Sequence, residues 1–318
     1  MAITLVEAAK LSQDDLQRGV VETFILETVV LDQLPLLSIE GNAYAYNEEA
    51  TLPGVEFRAV NGSYVESTGT VNQKTESLVI LGGDADVDTF IVKTRGNLND
   101  QRAVQTRLKV KAAVTKFQDT FINGDTTVDA NSFDGLKKRL TGAQVIDAAT
   151  NGLPVIGASD DDRNAFFDKL DEAIAAVENP GALYMNKSIR QKVKSAARRL
   201  TAYDETKDEF GRVVTSYQGL PLLDIGKKAD NSLIVPQTET QGTSNVASSI
   251  YVVGYSNDES EMGVAGLFNG DSETEPISVR DIGELESKPA YRTRIEFFCG
   301  MAVFGGFAAA RLRGVLNS

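Results

Sequence analysis

The sequence contains no histidine, and this absence removes the side chain that enzymes most often use as a general base. It also excludes the usual Ser-His-Asp triads and every zinc or iron site that needs an imidazole ligand. The chain has no phosphate-binding glycine loop, dinucleotide-binding motif or calcium-binding loop. We therefore predict no catalytic residue, no metal site and no cofactor. An enzyme that works with carboxylates alone remains the alternative from another functional class.

Cysteine is almost as scarce, since Cys299 is the only one in the chain. A single cysteine excludes an intramolecular disulfide and a cysteine-rich zinc site. Because Cys299 lies within an apolar run, we predict that it is a small buried hydrophobic side chain rather than a reactive thiol.

Basic residues are outnumbered, with 32 lysines and arginines against 45 aspartates and glutamates and a formal net charge of −13 at pH 7. We therefore do not expect the molecule as a whole to bind polyanions, and any contact with nucleic acid must be local. The best local candidate is a stripe of basic side chains that share one face of a predicted helix, because their spacings are three and four. These residues are Lys187, Arg190, Lys194 and Arg198. A solvated or salt-bridged helix face is the alternative interpretation.

Long hydrophobic runs are also missing. The most apolar stretch is residues 291–315, and its uncharged part has 14 residues, whereas a helix needs about 20 to cross a bilayer. Its first half alternates charged and apolar residues, which predicts a half-buried strand. Gly305 and Gly306 predict a bend or the close approach of another chain segment. The N-terminus lacks the features of a secretory signal, so the protein is expected to stay where it is made.

Three aspartates alternate in residues 83–88, and such alternation suggests a cation site because it places carboxylates on one face of a strand. The glycine and the distal glutamate of a calcium-binding loop do not follow at the required spacing. We therefore predict a solvated strand end at this position.

The N-terminal third of the chain contains two unusual segments. Residues 1–40 have apolar residues at roughly helical spacing as far as Pro35, which predicts an amphipathic arm. Residues 41–93 have the alternation and the glycine and asparagine punctuation of strands. Few large apolar residues occur between positions 48 and 77, so a long acidic hairpin here needs a neighbour to be stable.

A long helix is predicted to begin at Asn99 or Asp100 and to end at Gly124, where a left-handed C-cap is expected. Basic residues cover its polar side, and they are predicted either to be solvated or to meet the acidic hairpin of another copy. Its apolar face is predicted to comprise Val104, Leu108, Val110, Val114, Phe117 and Phe121. Residues 132–262 then alternate helices and strands as an α/β or α+β unit.

In this order the segments resemble the major capsid proteins of tailed bacteriophages, a fold shared with encapsulins and with the floor domain of herpesvirus capsids. The resemblance is strongest in residues 41–61, 78–91, 121–125, 133–136, 182–193 and 291–315. It implies an α+β fold in which the closing strands pack under the long helix, called the spine helix in that family. The implied parts are an N-terminal arm (1–40), an extended β-hairpin loop (41–93), a peripheral domain that includes the spine helix (94–131 and 263–318) and an axial domain (132–262).

The function that the resemblance implies is self-assembly as hexamers and pentamers into an icosahedral shell that encloses a double-stranded DNA genome. Its expected partners are other copies of the chain, portal, scaffolding and decoration proteins, and packaged DNA through weak nonspecific contacts, with no membrane. The expected location is the virion capsid, after assembly in the host cytoplasm. An encapsulin-type compartment with enzyme cargo is the alternative.

The resemblance also implies which residues make contacts. The basic stripe is expected to face the genome. Contacts between subunits are expected at the hairpin loop and the spine helix, at Arg58, Asn61, Tyr64, Glu66, Arg107 and Lys111.

Overall fold

The computed structural model describes residues 29–95, 101–199, 204–207, 213–269 and 277–317. The amphipathic helical pattern predicted for the arm falls largely on residues 1–28, outside the described residues. Among the helices in these ranges, none is both long enough and apolar enough to cross a bilayer. The described helices are α1 (Val30–Gln33), α2 (Thr89–Arg95), α3 (Gln101–Asn123), α4 (Leu136–Arg139), α5 (Asp160–Ala175) and α6 (Lys187–Arg199).

The described strands form two sheets and a separate hairpin. The first sheet contains β1 (Leu36–Ser38), β4 (Val79–Asp88), β13 (Gly263–Phe268), β14 (Ile277–Glu284) and β15 (Ala290–Phe304). The hairpin consists of β2 (Ala43–Thr51) and β3 (Thr70–Ser77). The second sheet contains β5 (Val145–Asp147), β6 (Leu153–Pro154), β7 (Pro180–Met185), β8 (Asp204–Lys207), β9 (Val213–Tyr217), β10 (Leu220–Asp224), β11 (Glu239–Gln241), β12 (Ser244–Gly254) and β16 (Ala309–Leu316).

Strand β15 organises the first sheet. One of its edges pairs with β4 in an antiparallel register from Ala290 to Cys299. The other edge pairs first with β14 and then with β13, both antiparallel. The predicted alternation is confirmed, because Ile295 and Phe297 are buried while Arg294 and Glu296 are partly exposed.

Two of the predicted boundaries differ from the strand pairing. Residues 79–88, which we included in the hairpin loop, instead form β4 at the edge of β15, so the paired hairpin ends at Ser77. The final strand β16 lies in the second sheet between β12 and β5, although we placed it in the peripheral domain. Gly305, at φ +81°, makes the turn between the two sheets. Strand pairing over such long sequence separations is not encoded in the local pattern of either segment.

Helix α3 packs across the first sheet and forms the larger core. The Phe117 ring lies 5.8 Å from that of Phe297 and 5.9 Å from that of Phe133 between centroids. Val110 and Val114 are also buried on this side, as the helical spacing predicted. We predicted that Leu108 belongs to this apolar face, but its side chain is 56% exposed and lies outside the face.

The end of α3 depends on glycine for a reason other than the predicted one. Gly124 follows the helix and donates its N–H to the Thr120 carbonyl at 2.8 Å, but its φ is not in the left-handed region. A Cβ at this position would collide with the carbonyl oxygen of Phe133. Glycine is therefore needed because the backbone of the loop before α4 approaches so closely, not because of a left-handed cap.

The second sheet is buried on both faces. Leu183 and Met185 of β7 pack towards α5 and α6, while Ala182 and Tyr184 face the core under α3. This two-sided burial explains why β7 is continuously apolar. Helix α5 begins at the predicted acidic turn, where Ser159 and Asp162 form a reciprocal capping box.

We predict that Phe117→Ala lowers the free energy of unfolding of the unassembled subunit by about 3–5 kcal/mol, because it leaves a cavity between α3 and β15. Leu108→Ala, a change on the same helix, should cost about 0.5 kcal/mol or less because the side chain is largely exposed. Urea unfolding followed by circular dichroism measures both. Equal losses in the two variants would contradict the described orientation of α3.

Candidate assembly surfaces

The hairpin is anchored to the rest of the chain at its base. Tyr46 is 3% exposed, and its hydroxyl donates to the Val303 carbonyl at 2.9 Å. Its ring packs edge-on against Phe304, with centroids 4.9 Å apart. On the other strand Glu76 accepts two hydrogen bonds from the Arg139 guanidinium, the one at Nη2 being 2.6 Å. These contacts fix the direction in which the hairpin leaves the body.

The hairpin tip, residues 52–69, exposes its apolar side chains. Phe57 is fully exposed and Val55 is 94% exposed. The exposed apolar side chains of the tip are Leu52, Val55, Phe57, Val60, Tyr64 and Val65. A concentration of exposed apolar side chains in one short segment usually marks a place that a partner covers.

All four predicted contact residues of the hairpin lie in this tip. The guanidinium of Arg58 lies 5.2 Å from the centre of the Tyr64 ring and donates to the Gly62 carbonyl at 3.2 Å. Asn61 has a φ of +66° and makes the turn between them, while Glu66 is exposed. Arg58 and Asn61 therefore shape the tip as well as bordering its surface.

The predicted contact list omitted the most exposed apolar residues of the tip, among them Val55, Phe57 and Val60. The signal that reveals them is the shortage of apolar partners in the same hairpin. On α3, Arg107 and Lys111 are exposed one helical turn apart, with the exposed Leu108 between them. This end of the helix therefore offers basic groups and an apolar side chain together.

Two of the three alternating aspartates, Asp84 and Asp86, form a ladder of ion pairs with β15, which corrects the predicted solvated strand end at these positions. Asp88, at the end of β4, is exposed as predicted. Asp84 and Asp86 lie directly opposite Arg294 and Arg292 in the sheet register. Arg294 Nε donates to Asp84 Oδ1 at 2.7 Å, and Arg292 Nε donates to Asp86 Oδ1 at 2.7 Å. Lys288 Nζ adds a contact to Asp86 Oδ2 at 2.5 Å. The carboxylates of Asp84 and Asp86 are therefore neutralised within the chain.

The same contacts shift the titration of these groups. The hydrogen bond from Arg294 holds the pKa of Asp84 below its usual value, and the one from Arg292 does the same for the pKa of Asp86. Among the described residues, no group of three or more cysteine, aspartate or glutamate side chains is arranged to hold a metal ion. Cys299 is buried as predicted, and desolvation raises the pKa of its thiol.

The basic stripe lies on α6, as predicted. Lys187 and Arg198 are exposed at its two ends, and Arg190 and Lys194 are half-buried between them. The helix holds six basic residues and no acidic one. Its opposite face is buried against the second sheet through Ile189, Val193, Ala196 and Ala197.

We predict that Asp86→Asn lowers the free energy of unfolding by about 0.5–1 kcal/mol near neutral pH, the usual range for a partly exposed ion pair. The pKa of Asp86 is lower in the folded chain than its unfolded value of about 3.9, so the stabilisation is fully present above that value. It is lost as the pH falls through the folded-state pKa. The difference in unfolding free energy between the variant and wild type should therefore stay constant from about pH 8 to about pH 5 and become smaller below about pH 4.

Urea unfolding over this pH range tests the prediction. Asp168→Asn, an exposed change on α5, is the matched control and should stay within about 0.5 kcal/mol of wild type throughout. If the loss of unfolding free energy caused by Asp86→Asn grew as the pH fell, the result would contradict the stabilising role of the ion pairs at Asp86.

Comparison with known proteins gives a family match over nearly half of the chain. A sequence model of the family described as major capsid protein GP7 matches residues 13–164, which include the hairpin and α3. No curated protein sequence matches the chain at a significant level.

Several solved structures share the fold. The SrpI encapsulin complex of Synechococcus elongatus PCC 7942 is 19% identical at a TM-score of 0.64, over 100% of this chain and 98% of that one. The capsid of the native GTA particle is 15% identical at a TM-score of 0.59, over 91% and 90%. A structure of Microbacterium phage Oxtober96 is 13% identical at a TM-score of 0.58, over 90% of both chains. The predicted α+β capsid fold is thus confirmed.

The encapsulin and the phage capsids share one architecture, so the fold alone does not separate the two interpretations. The family match, which covers the anchored hairpin and the long helix, favours the capsid over the encapsulin. The chain is therefore similar to major capsid proteins over residues 13–164, and it shares the fold of the GTA and phage capsids.

Proposed function

We propose that copies of this chain associate as hexamers and pentamers into a closed icosahedral shell around the double-stranded DNA genome of a tailed phage. The observation that carries the proposal is the hairpin tip, which projects from an anchored base with its apolar side chains exposed. A two-stranded hairpin is marginal in water without further packing, so this surface requires a partner.

The partner that fits the tip is a second copy of the chain. The tip carries Glu56 and Glu66, and the exposed part of α3 carries Arg107 and Lys111 beside Leu108. Seating the tip of one copy over α3 of its neighbour covers apolar surface and pairs opposite charges. Charge pairing of this kind fixes register and excludes wrong partners more than it adds affinity.

The genome is held by enclosure rather than by tight binding. A chain with a net charge of −13 offers a polyanion little general attraction, so its contacts with DNA are weak and nonspecific. The same charge keeps assembled shells apart in solution. The role is structural, without catalysis or a membrane partner. Assembly in the host cytoplasm and work with portal, scaffolding and decoration proteins are parts of the same proposal.

Replacing residues 53–68 by an Asn-Gly turn tests the role of the tip. The strands remain in register at Thr51 and Thr70, whose hydroxyls lie 2.6 Å apart, so the subunit should fold and melt as wild type does. Because the covering contact is gone, we expect no closed shells. Gel filtration and negative-stain microscopy measure assembly, and circular dichroism measures melting.

Two matched variants separate the tip from exposed apolar residues in general. Val55→Ser with Phe57→Ser should reduce shell yield about tenfold or more, since each buried apolar side chain contributes about 1.5–3 kcal/mol. Val128→Ser with Val246→Ser changes two other exposed valines and should leave the yield unchanged. Normal shells from the shortened hairpin would refute the role of the tip.

Nuclease-protected DNA inside wild-type shells supports the viral role, whereas a co-purifying enzyme in its place supports the encapsulin alternative.

A further inference from the structure

Helix α5 carries a stripe of opposite sign to the basic stripe on α6. Asp161, Asp168 and Glu172 are all exposed, and their spacings of seven and four place them on one face of α5. We call these three residues the acidic stripe. The face of α5 opposite to it is buried through Phe166 and Leu170.

The two stripes match in length. The acidic stripe extends from residue 161 to residue 172 and the basic stripe from 187 to 198, so each covers eleven residue steps. At 1.5 Å per residue, each is about 16 Å long. Stripes of equal length and opposite sign can pair along their whole extent.

The two helices lie towards opposite ends of the second sheet. The order of its strands is β5-β16-β12-β7-β10-β9-β8. Helix α5 packs on β5, β6 and β16, near the first end, and α6 packs on β10, nearer the other. Both helices pack on the same face of the sheet, but at different positions along it. Two different surfaces suit a head-to-tail contact, and such contacts generate rings when the rotation closes.

We propose that the acidic stripe of one copy pairs with the basic stripe of the next copy around each capsomer ring. This inference rests on the proposed assembly into hexamers and pentamers and adds the residues that join neighbours within a ring. The pairing selects orientation, because two acidic stripes or two basic stripes repel each other.

Lys187 and Arg198, at the two ends of the basic stripe, are exposed, whereas Lys194 already interacts within the chain. Glu172 contacts Lys169 of the same helix at 2.6 Å, an exposed pair that contributes little and can exchange partners. DNA phosphate is the competing partner for the basic stripe. The neighbouring subunit is favoured because the chain itself provides an acidic counterpart of the same length.

Charge reversal tests the pairing. Lys187→Glu with Arg198→Glu, called the base-reversed variant, should reduce shell yield about tenfold or more because like charges then face each other at both ends of the stripe. Asp161→Lys with Asp168→Lys, the acid-reversed variant, should do the same. A chain that carries all four changes regains opposite charges at the contact and should form shells again.

Lys192→Glu with Arg199→Glu is the matched control. It changes the net charge of α6 as much as the base-reversed variant does, but these residues lie off the stripe, so shells should form as in wild type. Thermal melting of every unassembled variant checks folding. If the base-reversed variant does not fold, Lys187→Gln with Arg198→Gln takes its place and should give a smaller defect in the same direction.

Mixing the two reversed variants gives a sharper test. Their stripes are complementary only if the variants alternate around a ring, and alternation is possible among six subunits but not among five. We expect the mixture to form hexamers that do not close into shells, while the chain with all four changes closes them. Native mass spectrometry counts the subunits in the rings.

Three results would overturn the inference. The first is a base-reversed variant that assembles as well as wild type. The second is a chain with all four changes that assembles no better than either parent. The third is normal shells from the base-reversed variant with less nuclease-protected DNA, which would assign the stripe to the genome. These results leave the proposed function intact, whereas wild-type protein that forms no shells would refute the proposed function and this inference together.

Discussion

The packing of α3 across β15 is the contact on which the rest of the subunit depends. The Phe117 and Phe297 rings meet at 5.8 Å in its centre, and β15 carries on its two edges the strands that complete the first sheet. The chain segment just after α3 leads to Arg139, which holds Glu76 at the base of the hairpin. The position of a long, weakly cohesive hairpin is thus set by a core at some distance from its tip. A rigid body with a directed hairpin is what a lattice needs, because an error in direction at the base grows along the length of the projection.

Charge has three separate uses in this molecule. On the first sheet, opposite charges from distant parts of the chain neutralise one another and hold β4 to β15. On the helices of the second sheet, charges of one sign are collected on each surface, which suits recognition between molecules. The overall excess of acid acts on a larger scale and disfavours nonspecific adhesion to polyanions. The net charge predicts only the last of these uses. The ion pairs and the charged helix surfaces depend on which residues the fold brings together.

Much of the fold was predictable from local pattern. Helical spacing identified α3, α5 and α6 with their buried faces, and alternation identified β15. The incorrect predictions concern residues and strands whose structural partner lies far away in the sequence. Asp84 and Asp86 gave no sign of arginines some two hundred residues away, and β16 gave no sign that it joins the second sheet. For the candidate contact surfaces, the shortage of buried apolar residues indicated a hairpin in need of a partner. It did not distinguish Phe57, which is wholly exposed, from Arg58, which packs on Tyr64 of the same tip.

The turn at Gly305 connects β15 at the centre of one sheet to β16 inside the other. Each sheet therefore depends on a strand from the last described part of the chain, and without those strands β12 and β4 have open edges. The two cores are thus completed by a single segment, and a change at the turn between its two strands affects both cores at once.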